Sequence, residues 1–402
     1  MTHLALKDEL LDAQLLRTVG SAPYGGADVG ECLSTVARIK GTDLASWHNE
    51  WVSTAAATQS LAERALEAGR TETARLAFLR AASYFRTAGV MLMAPPADER
   101  LVRAYAAQTE AFRRAAALFA QPPEIVDIPF DGSPLPGYHF RPDGDPGRRA
   151  TVLLVGGYDG TAEELYLLNG AAALARGYNV LAFDGPGQGA ALLRLGLTMR
   201  ADFERVVTAA VDYLCTRRDT DPARLAVIGL SLGGYLAPRA ASVEHRLAAC
   251  IADCGSYDLF AAARQRIPGP LAAAVDGGSG ARSAVLRRIL KTLAAKPTAG
   301  WALRRGQLVH GVDDPLDYLR ALRDFSLQGR AGSIRCPTLV CLAEGDDISE
   351  SAPRLYAELT CDKELVHFTA AEGAGDHCEA GARTLYHART FAWLDGILHP
   401  ET

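Results

Sequence analysis

Leu225-Ala226-Val227-Ile228-Gly229-Leu230-Ser231-Leu232-Gly233-Gly234-Tyr235-Leu236-Ala237 decides the fold. An apolar run meets Gly-Leu-Ser-Leu-Gly and then a helical pattern, so the segment reads as strand, tight turn and helix. In that context G-x-S-x-G is a nucleophile elbow. Small residues at Gly229 and Gly233 let strand and helix approach, and the strained turn lifts the Ser231 hydroxyl above the sheet. The helix N-terminus behind it leaves amide N–H groups free to meet a developing oxyanion.

A nucleophilic serine needs a base, and the base needs an orienting acid. In hydrolases built on such an elbow the chain order is serine, acid, histidine. His377 fits: Glu364–Phe368 reads as a strand, and Gly373-Ala374-Gly375-Asp376-His377-Cys378 as the loop leaving it. His367 falls within that strand, His387 in a helical run and His399 at the tail, positions that suit structural roles. Thr338–Leu342 is a buried-strand run, and Asp346, in the loop that follows it, is the candidate acid, 31 residues before His377. Asp347 is its rival. Asp253, after the strand Ala249–Ala252, is a third choice. A second oxyanion donor is expected from the loop after an earlier strand, here Gly156-Gly157-Tyr158-Asp159-Gly160 following Thr151–Val155. The N–H groups of Tyr158 and Leu232 are the candidate oxyanion donors. Thr161 and Glu164 have capping-box spacing and read as helix-start residues.

One stretch imitates a dinucleotide site. Gly185, Gly187 and Ala190 satisfy G-x-G-x-x-A after the strand Tyr178–Phe183. No acidic residue stands about 20 positions on to hold a ribose, and Pro186 does not suit a phosphate-cradling turn. The stretch reads as a glycine-rich turn, and no cofactor is expected.

With 402 residues, 49% of them hydrophobic, the chain can bury a large domain and an accessory one. A net charge of −5 argues against nucleic acid or an anionic membrane as partner. No apolar stretch reaches signal-peptide or membrane-spanning length. The eight cysteines are scattered, without a C-x-x-C pair. Cys250 and Cys341 fall in strands as small buried hydrophobes, and Cys250, Cys254 and His245 lack zinc spacing. The expectation is a reduced, cytoplasmic protein with no metal.

Residues 1–122 carry no strand pattern. Ala74, Ala77, Phe78, Ala81, Phe85 and Ala88 mark one amphipathic helix, and Leu101, Tyr105, Phe112, Ala116 and Phe119 a second. Beyond Pro122-Pro123 comes a hairpin about Asp131-Gly132, then strands near 151, 179, 225, 248, 338 and 364 alternating with helices. That alternation predicts an α/β fold with a mostly parallel sheet. The roughly 80 residues between Gly255 and Arg335 are helical in pattern and too long for a crossover; at about 256–334 they form a lid insertion over Ser231. The expected organisation is a helical N-terminal domain, 1–122, and a catalytic domain, 123–402. Trp47, Trp51, Phe78, Tyr84 and Phe85 suggest that the first packs against the lid and completes the cavity; it could also form a homodimer contact.

With these residues assembled, the chain resembles the α/β-hydrolase superfamily from about residue 124 onward. The helical N-terminal region, Gly156–Glu164, Phe183–Gly189 and Glu372–Glu379 make it similar to the subgroup of dihydroxypseudooxynicotine hydrolase and the fungal hydrolases that shorten polyketide chains. The resemblance implies Ser231, Asp346 and His377 as the triad, and Ala343-Glu344-Gly345-Asp346 favours Asp346 over Asp347. It implies either cleavage of a carbon–carbon bond beside a ketone or esterase activity. Carbon–carbon hydrolases of this kind can use an extra glutamate near the lid, and the matching stretch, Phe260–Arg266, has no acid. The function expected is therefore hydrolysis of an ester, lactone or related acyl bond in a medium-sized organic molecule, a secondary metabolite, enclosed beneath the lid. Carbon–carbon cleavage, acyl-transferring cyclisation and a non-catalytic ligand receptor are the alternatives.

Overall fold

The computed structural model describes residues 2–142, 147–276 and 280–399. Five helices lead the chain: α1 (Glu9–Val19), α2 (Val29–Val36), α3 (Leu44–Glu67), α4 (Thr71–Val90) and α5 (Glu99–Ala116). Asp side chains start four of them, since Asp8, Asp28, Asp43 and Asp98 each accept an otherwise orphaned N–H of the first turn. The expected α4 and α5 are both present, α5 ending before Phe119.

Eight strands follow: β1 (Glu124–Phe130), β2 (Ser133–Phe140), β3 (Arg149–Val155), β4 (Asn179–Phe183), β5 (Thr220–Leu230), β6 (Leu247–Asp253), β7 (Thr338–Ala343) and β8 (Lys363–Phe368). They form one sheet in the order β1-β2-β4-β3-β5-β6-β7-β8. β1 and β2 are antiparallel, turning at Asp131 (φ 43°) and Gly132 (φ 82°), a pair of left-handed residues that suits a tight hairpin. From β4 to β8 the pairing is parallel. Parallel strands covered on both faces must be apolar throughout, and Val152 to Val155 and Ala226 to Ile228 are buried without a break.

Because side chains alternate along a strand, the sheet divides the core in two. Val152, Leu154 and Ile228 pack with the buried residues of α1, α3, α4 and α5. Leu153, Val155 and Val227 pack on the other face with helices Glu204–Cys215 and Gly233–Ala241 and with the insertion between β6 and β7. That insertion holds helices Leu259–Gln265, Gly269–Val275, Ala281–Ala294, Trp301–His310 and Pro315–Ala321; its residues 277–279 lie outside the described residues. Among the described residues no helix is long and apolar enough to cross a membrane.

Trp47 and Trp51, which suggested a cavity-lining role, are instead wholly buried within the helical core, Trp47 donating to the Thr87 carbonyl at 2.8 Å. The two indoles pack on each other, Trp51 also on Tyr84, so they stabilise the N-terminal helices, and neither lines the space beside Ser231.

Candidate active site

Ser231 follows β5 directly and has φ 59°, the left-handed region that a serine enters only when its surroundings enforce it. The glycines explain the enforcement. A Cβ at Gly229 would collide with the Gly233 carbonyl, and one at Gly233 with the Val155 carbonyl, so both positions must lack a side chain for the turn to close. The hydroxyl stands at the carboxyl edge of the parallel strands, where the loops after β3, β7 and β8 converge.

Asp346, His377 and Ser231 form one relay. His377 Nδ1 lies 2.8 Å from Asp346 Oδ2, and His377 Nε2 lies 2.9 Å from Ser231 Oγ. A carboxylate can only accept, so Nδ1 carries the proton and Nε2 is left to accept from the serine hydroxyl. The Gly345 amide donates to the Gly375 carbonyl at 2.8 Å, tying the acid loop to the histidine loop. Burial works against charge on Asp346, but His377 and the hydrogen bonds it accepts from His377, Cys254 and Ile348 hold its carboxyl below the ordinary aspartate range. The rivals stand elsewhere. Asp347 is exposed, 3.6 Å from the Arg266 guanidinium. Asp253 is fully buried, with its carboxyl raised to about 8 by burial and by the neighbouring Cys378, so it stays protonated near neutrality.

The other histidines have structural partners. His387 Nε2 donates to the Leu168 carbonyl at 2.7 Å and His387 Nδ1 lies 2.6 Å from the Tyr24 hydroxyl. His399 packs on Tyr178, and His367 is exposed on β8.

The loop after β3 lies against Ser231 so closely that a Cβ on Gly157 would be 2.8 Å from Ser231 Cβ and 3.0 Å from Oγ. Among the described residues the Tyr158 and Leu232 amides donate to no backbone or side-chain group. The glycine-rich turn after β4, set aside in the sequence as a dinucleotide site, supports this loop: Gln188 Nε2 donates to the carbonyls of Gly156 at 2.6 Å and Gly157 at 3.3 Å. Thr161 caps its helix as expected, its hydroxyl accepting from the Glu164 amide at 3.2 Å. The Glu164 carboxylate does not close a capping box; it receives Arg17 Nε at 2.8 Å and Nη2 at 2.7 Å. Arg17 Nη1 also donates to Asp159 at 3.0 Å, so α1 is clamped onto the loop beside Ser231. No spacing in the sequence joins Arg17 to Glu164, and this contact was invisible there.

These elements enclose a cavity of about 360 Å³ that contains Ser231 and His377. Ala13, Leu16 and Arg17 of α1 line one side, and Leu165, Leu168 and Ile348 make much of the rest apolar. The N-terminal helices thus reach the cavity through α1, not through the aromatic residues. Among the described residues the lid contributes only Arg266 to the lining. Its helix Trp301–His310 acts one layer behind. His310 Nε2 is 3.0 Å from the Tyr158 hydroxyl, Arg305 lies over the Tyr158 ring at 5.0 Å, and Trp301 Nε1 donates to the Val90 carbonyl at 2.9 Å. Burial depresses His310 to about 4, so it is a neutral partner for the tyrosine.

Two cysteines missed by spacing arguments flank the relay. Cys254 Sγ is 3.4 Å from His377 Nδ1 and 3.4 Å from Cys378 Sγ, which in turn is 3.7 Å from His377 Nε2. His245, weighed with Cys254 as a ligand in the sequence, is exposed and outside this group. The adjacency of His377 and Cys378 is visible in the sequence, but their approach to Cys254 is made by the fold alone.

Comparison with known proteins identifies the family. Residues 152–385 match the alpha/beta hydrolase family, and residues 28–267 match the FrsA-like esterases. The 20-hydroxy-prefusarin hydrolase FUS2 of Gibberella moniliformis is 36% identical, over 98% of this chain and 97% of that protein. The hydrolase LUC6 of a Fusarium species is 34% identical over 98% and 97%. Among solved structures, 2,6-dihydroxy-pseudo-oxynicotine hydrolase superposes with a TM-score of 0.76 at 25% identity, covering 94% of this chain and 95% of that one. With a full-length relative and a family match over more than half its residues, the chain belongs to the alpha/beta hydrolase family, and it is a hydrolase.

Proposed function

We propose that this hydrolase cleaves an ester, lactone or related acyl bond in a medium-sized organic molecule through a covalent Ser231 ester. The observation that carries the reading is the relay itself, Asp346 to His377 at 2.8 Å and His377 to Ser231 at 2.9 Å, opening on a cavity of about 360 Å³. His377 Nε2 takes the hydroxyl proton as Ser231 Oγ bonds to the acyl carbon, and the carbonyl electron pair moves onto its oxygen. In this reading the Tyr158 and Leu232 amides, which have no backbone acceptor among the described residues, meet that charge. The oxyanion collapses, the bond to the leaving oxygen breaks, and His377 gives its proton to the departing alkoxide. Water then repeats the sequence on the acyl-enzyme, with His377 as base, and frees Ser231. Throughout, Asp346 holds the imidazole in the required tautomer and offsets its transient charge.

The cavity is near the lower end of the range for small-molecule pockets, about 300–1,000 Å³, and its apolar lining suits an organic acyl compound better than a polymer. Similarity to a prefusarin hydrolase supports a secondary metabolite as the source of that compound. The second reading is carbon–carbon cleavage, favoured by the superposition on 2,6-dihydroxy-pseudo-oxynicotine hydrolase. There the leaving group is a carbanion or enolate, which needs stabilisation beyond one proton from His377. Among the described residues the lid segment contributes the Arg266 guanidinium and no acid to the cavity lining, which supports the acyl reading. Purified protein offered aryl esters beside aromatic β-diketones, with products followed by mass, should turn over the esters more efficiently. Efficient diketone cleavage with only trace esterase activity would reverse the ranking.

A further inference from the structure

Cys254 and Cys378 differ from the other buried thiols of this chain. Cys250 and Cys341 lie inside β6 and β7, where a thiol is a small apolar side chain. Cys254 follows β6 directly and Cys378 lies in the turn His377–Glu379; their φ values of 63° and 51° are left-handed conformations that accompany sulfur atoms brought to 3.4 Å from one another. The imidazole of His377 completes the group, 3.4 Å from Cys254 Sγ through Nδ1 and 3.7 Å from Cys378 Sγ through Nε2. In a tetrahedral zinc site with bonds of about 2.3 Å to sulfur and about 2.0 Å to nitrogen, neighbouring ligand atoms stand about 3.5–3.8 Å apart. One ring nitrogen can serve one ion, and with it the two Sγ atoms complete a set of three ligand atoms that all lie within 4.8 Å of one another, so side-chain adjustment would bring them to those edges and seat an ion.

We propose that Cys254, Cys378 and His377 bind a thiophilic divalent cation of the zinc class, and that the bound ion switches the hydrolase off. Coordination forms two metal–sulfur bonds and one metal–nitrogen bond, both sulfurs binding as thiolates, and any proton still on either thiol goes to solvent. Whichever ring nitrogen binds, the relay breaks. Nδ1 is the atom bonded to Asp346, and Nε2 is the atom that accepts from Ser231. His377 and Cys378 both line the cavity and are only half-buried, so an ion in solvent can reach them. Ion binding stands on the geometry alone, and only the loss of activity rests on the function proposed above.

The test uses the full chain, reduced with a phosphine and stripped of metal, carrying Ser231→Ala so that binding is read without turnover. Co²⁺ should bind one ion per chain with sulfur-to-cobalt charge-transfer absorption and the visible bands of a tetrahedral centre, and Zn²⁺ should displace it. Cys254→Ala, Cys378→Ala and His377→Ala should each weaken binding more than about 100-fold. Replacing the exposed thiol, Cys215→Ala, should leave binding unchanged. Lack of a thiolate–cobalt band would overturn the site, as would binding that survives loss of both Cys254 and Cys378 or of His377. If one cysteine variant does not fold, the other carries the test. In the chain with Ser231 intact, saturating Zn²⁺ should slow fluorophosphonate labelling more than tenfold, and a chelator should restore it; unslowed labelling would overturn the switch. A chain that binds Co²⁺ as described yet never labels, with or without metal, would contradict the proposed function and leave the ion site standing.

Discussion

At Ser231 the backbone is held at φ 59° by two neighbours that cannot carry a side chain, and the hydroxyl oxygen lies against the His377 imidazole and Gly157. Gly157→Ala tests how tightly that space is set. Its methyl would sit 3.0 Å from Oγ, so the serine or the loop must move. Since an ångström-scale misplacement can cost about 100-fold, kcat/KM should fall by about that factor while the circular dichroism spectrum stays unchanged. Activity within twofold of wild type would contradict the packing. Asp346→Asn should lower kcat by about 10³- to 10⁴-fold through loss of the imidazole tautomer, and Asp347→Asn by no more than a few-fold. Steady-state kinetics on an aryl ester decide this, and a larger loss at Asp347 would reverse the roles. Ser231, Asp346 and His377 were legible because each follows an apolar strand run within a short loop, so sequence position alone brings it to the same sheet edge. Arg17, Gln188 and Cys254 were not, because their contacts join segments with no shared pattern.

Among the elements, the lid helix Trp301–His310 connects three parts of the molecule: the end of α4, the Tyr158 ring and the lid core. Its partial burial in the lid core depresses His310 to about 4, below its ordinary 6.5. The unfolded chain therefore binds a proton in this interval that the folded chain refuses. Stability from this group is fully present above about pH 6.5 and is lost as the pH falls toward 4. By pH 5 the loss is up to about 2 kcal/mol, and His310→Gln does not suffer it. Urea midpoints for the two proteins should thus differ less at pH 5 than at pH 7; a constant or wider gap would contradict a neutral His310. The strands were legible as apolar runs and the hairpin turn as Asp131-Gly132. The bracing of Tyr158 by the lid was not, because helical periodicity identifies a buried face without identifying what covers it.

For the whole molecule, the N-terminal helices and one face of the sheet share a single core, and α1 closes the cavity that the sheet edge opens. Removing residues 1–122 should therefore expose Val152, Leu154 and Ile228 and give insoluble protein instead of a working smaller enzyme. A gentler probe is Ala13→Leu. The added bulk narrows the cavity from the α1 side, so KM for a bulky aryl ester should rise several-fold while KM and kcat for a short acyl ester hold. Equal effects on both substrates would place the binding site away from α1.

If Ser231 is a nucleophile activated by His377, covalent trapping will show it. A fluorophosphonate probe, read by intact mass and peptide mapping, should leave one adduct per chain on the peptide containing Ser231. Ser231→Ala should carry none and should lose turnover by as much as about a millionfold. An adduct on another residue, or labelling that persists in Ser231→Ala, would contradict the account.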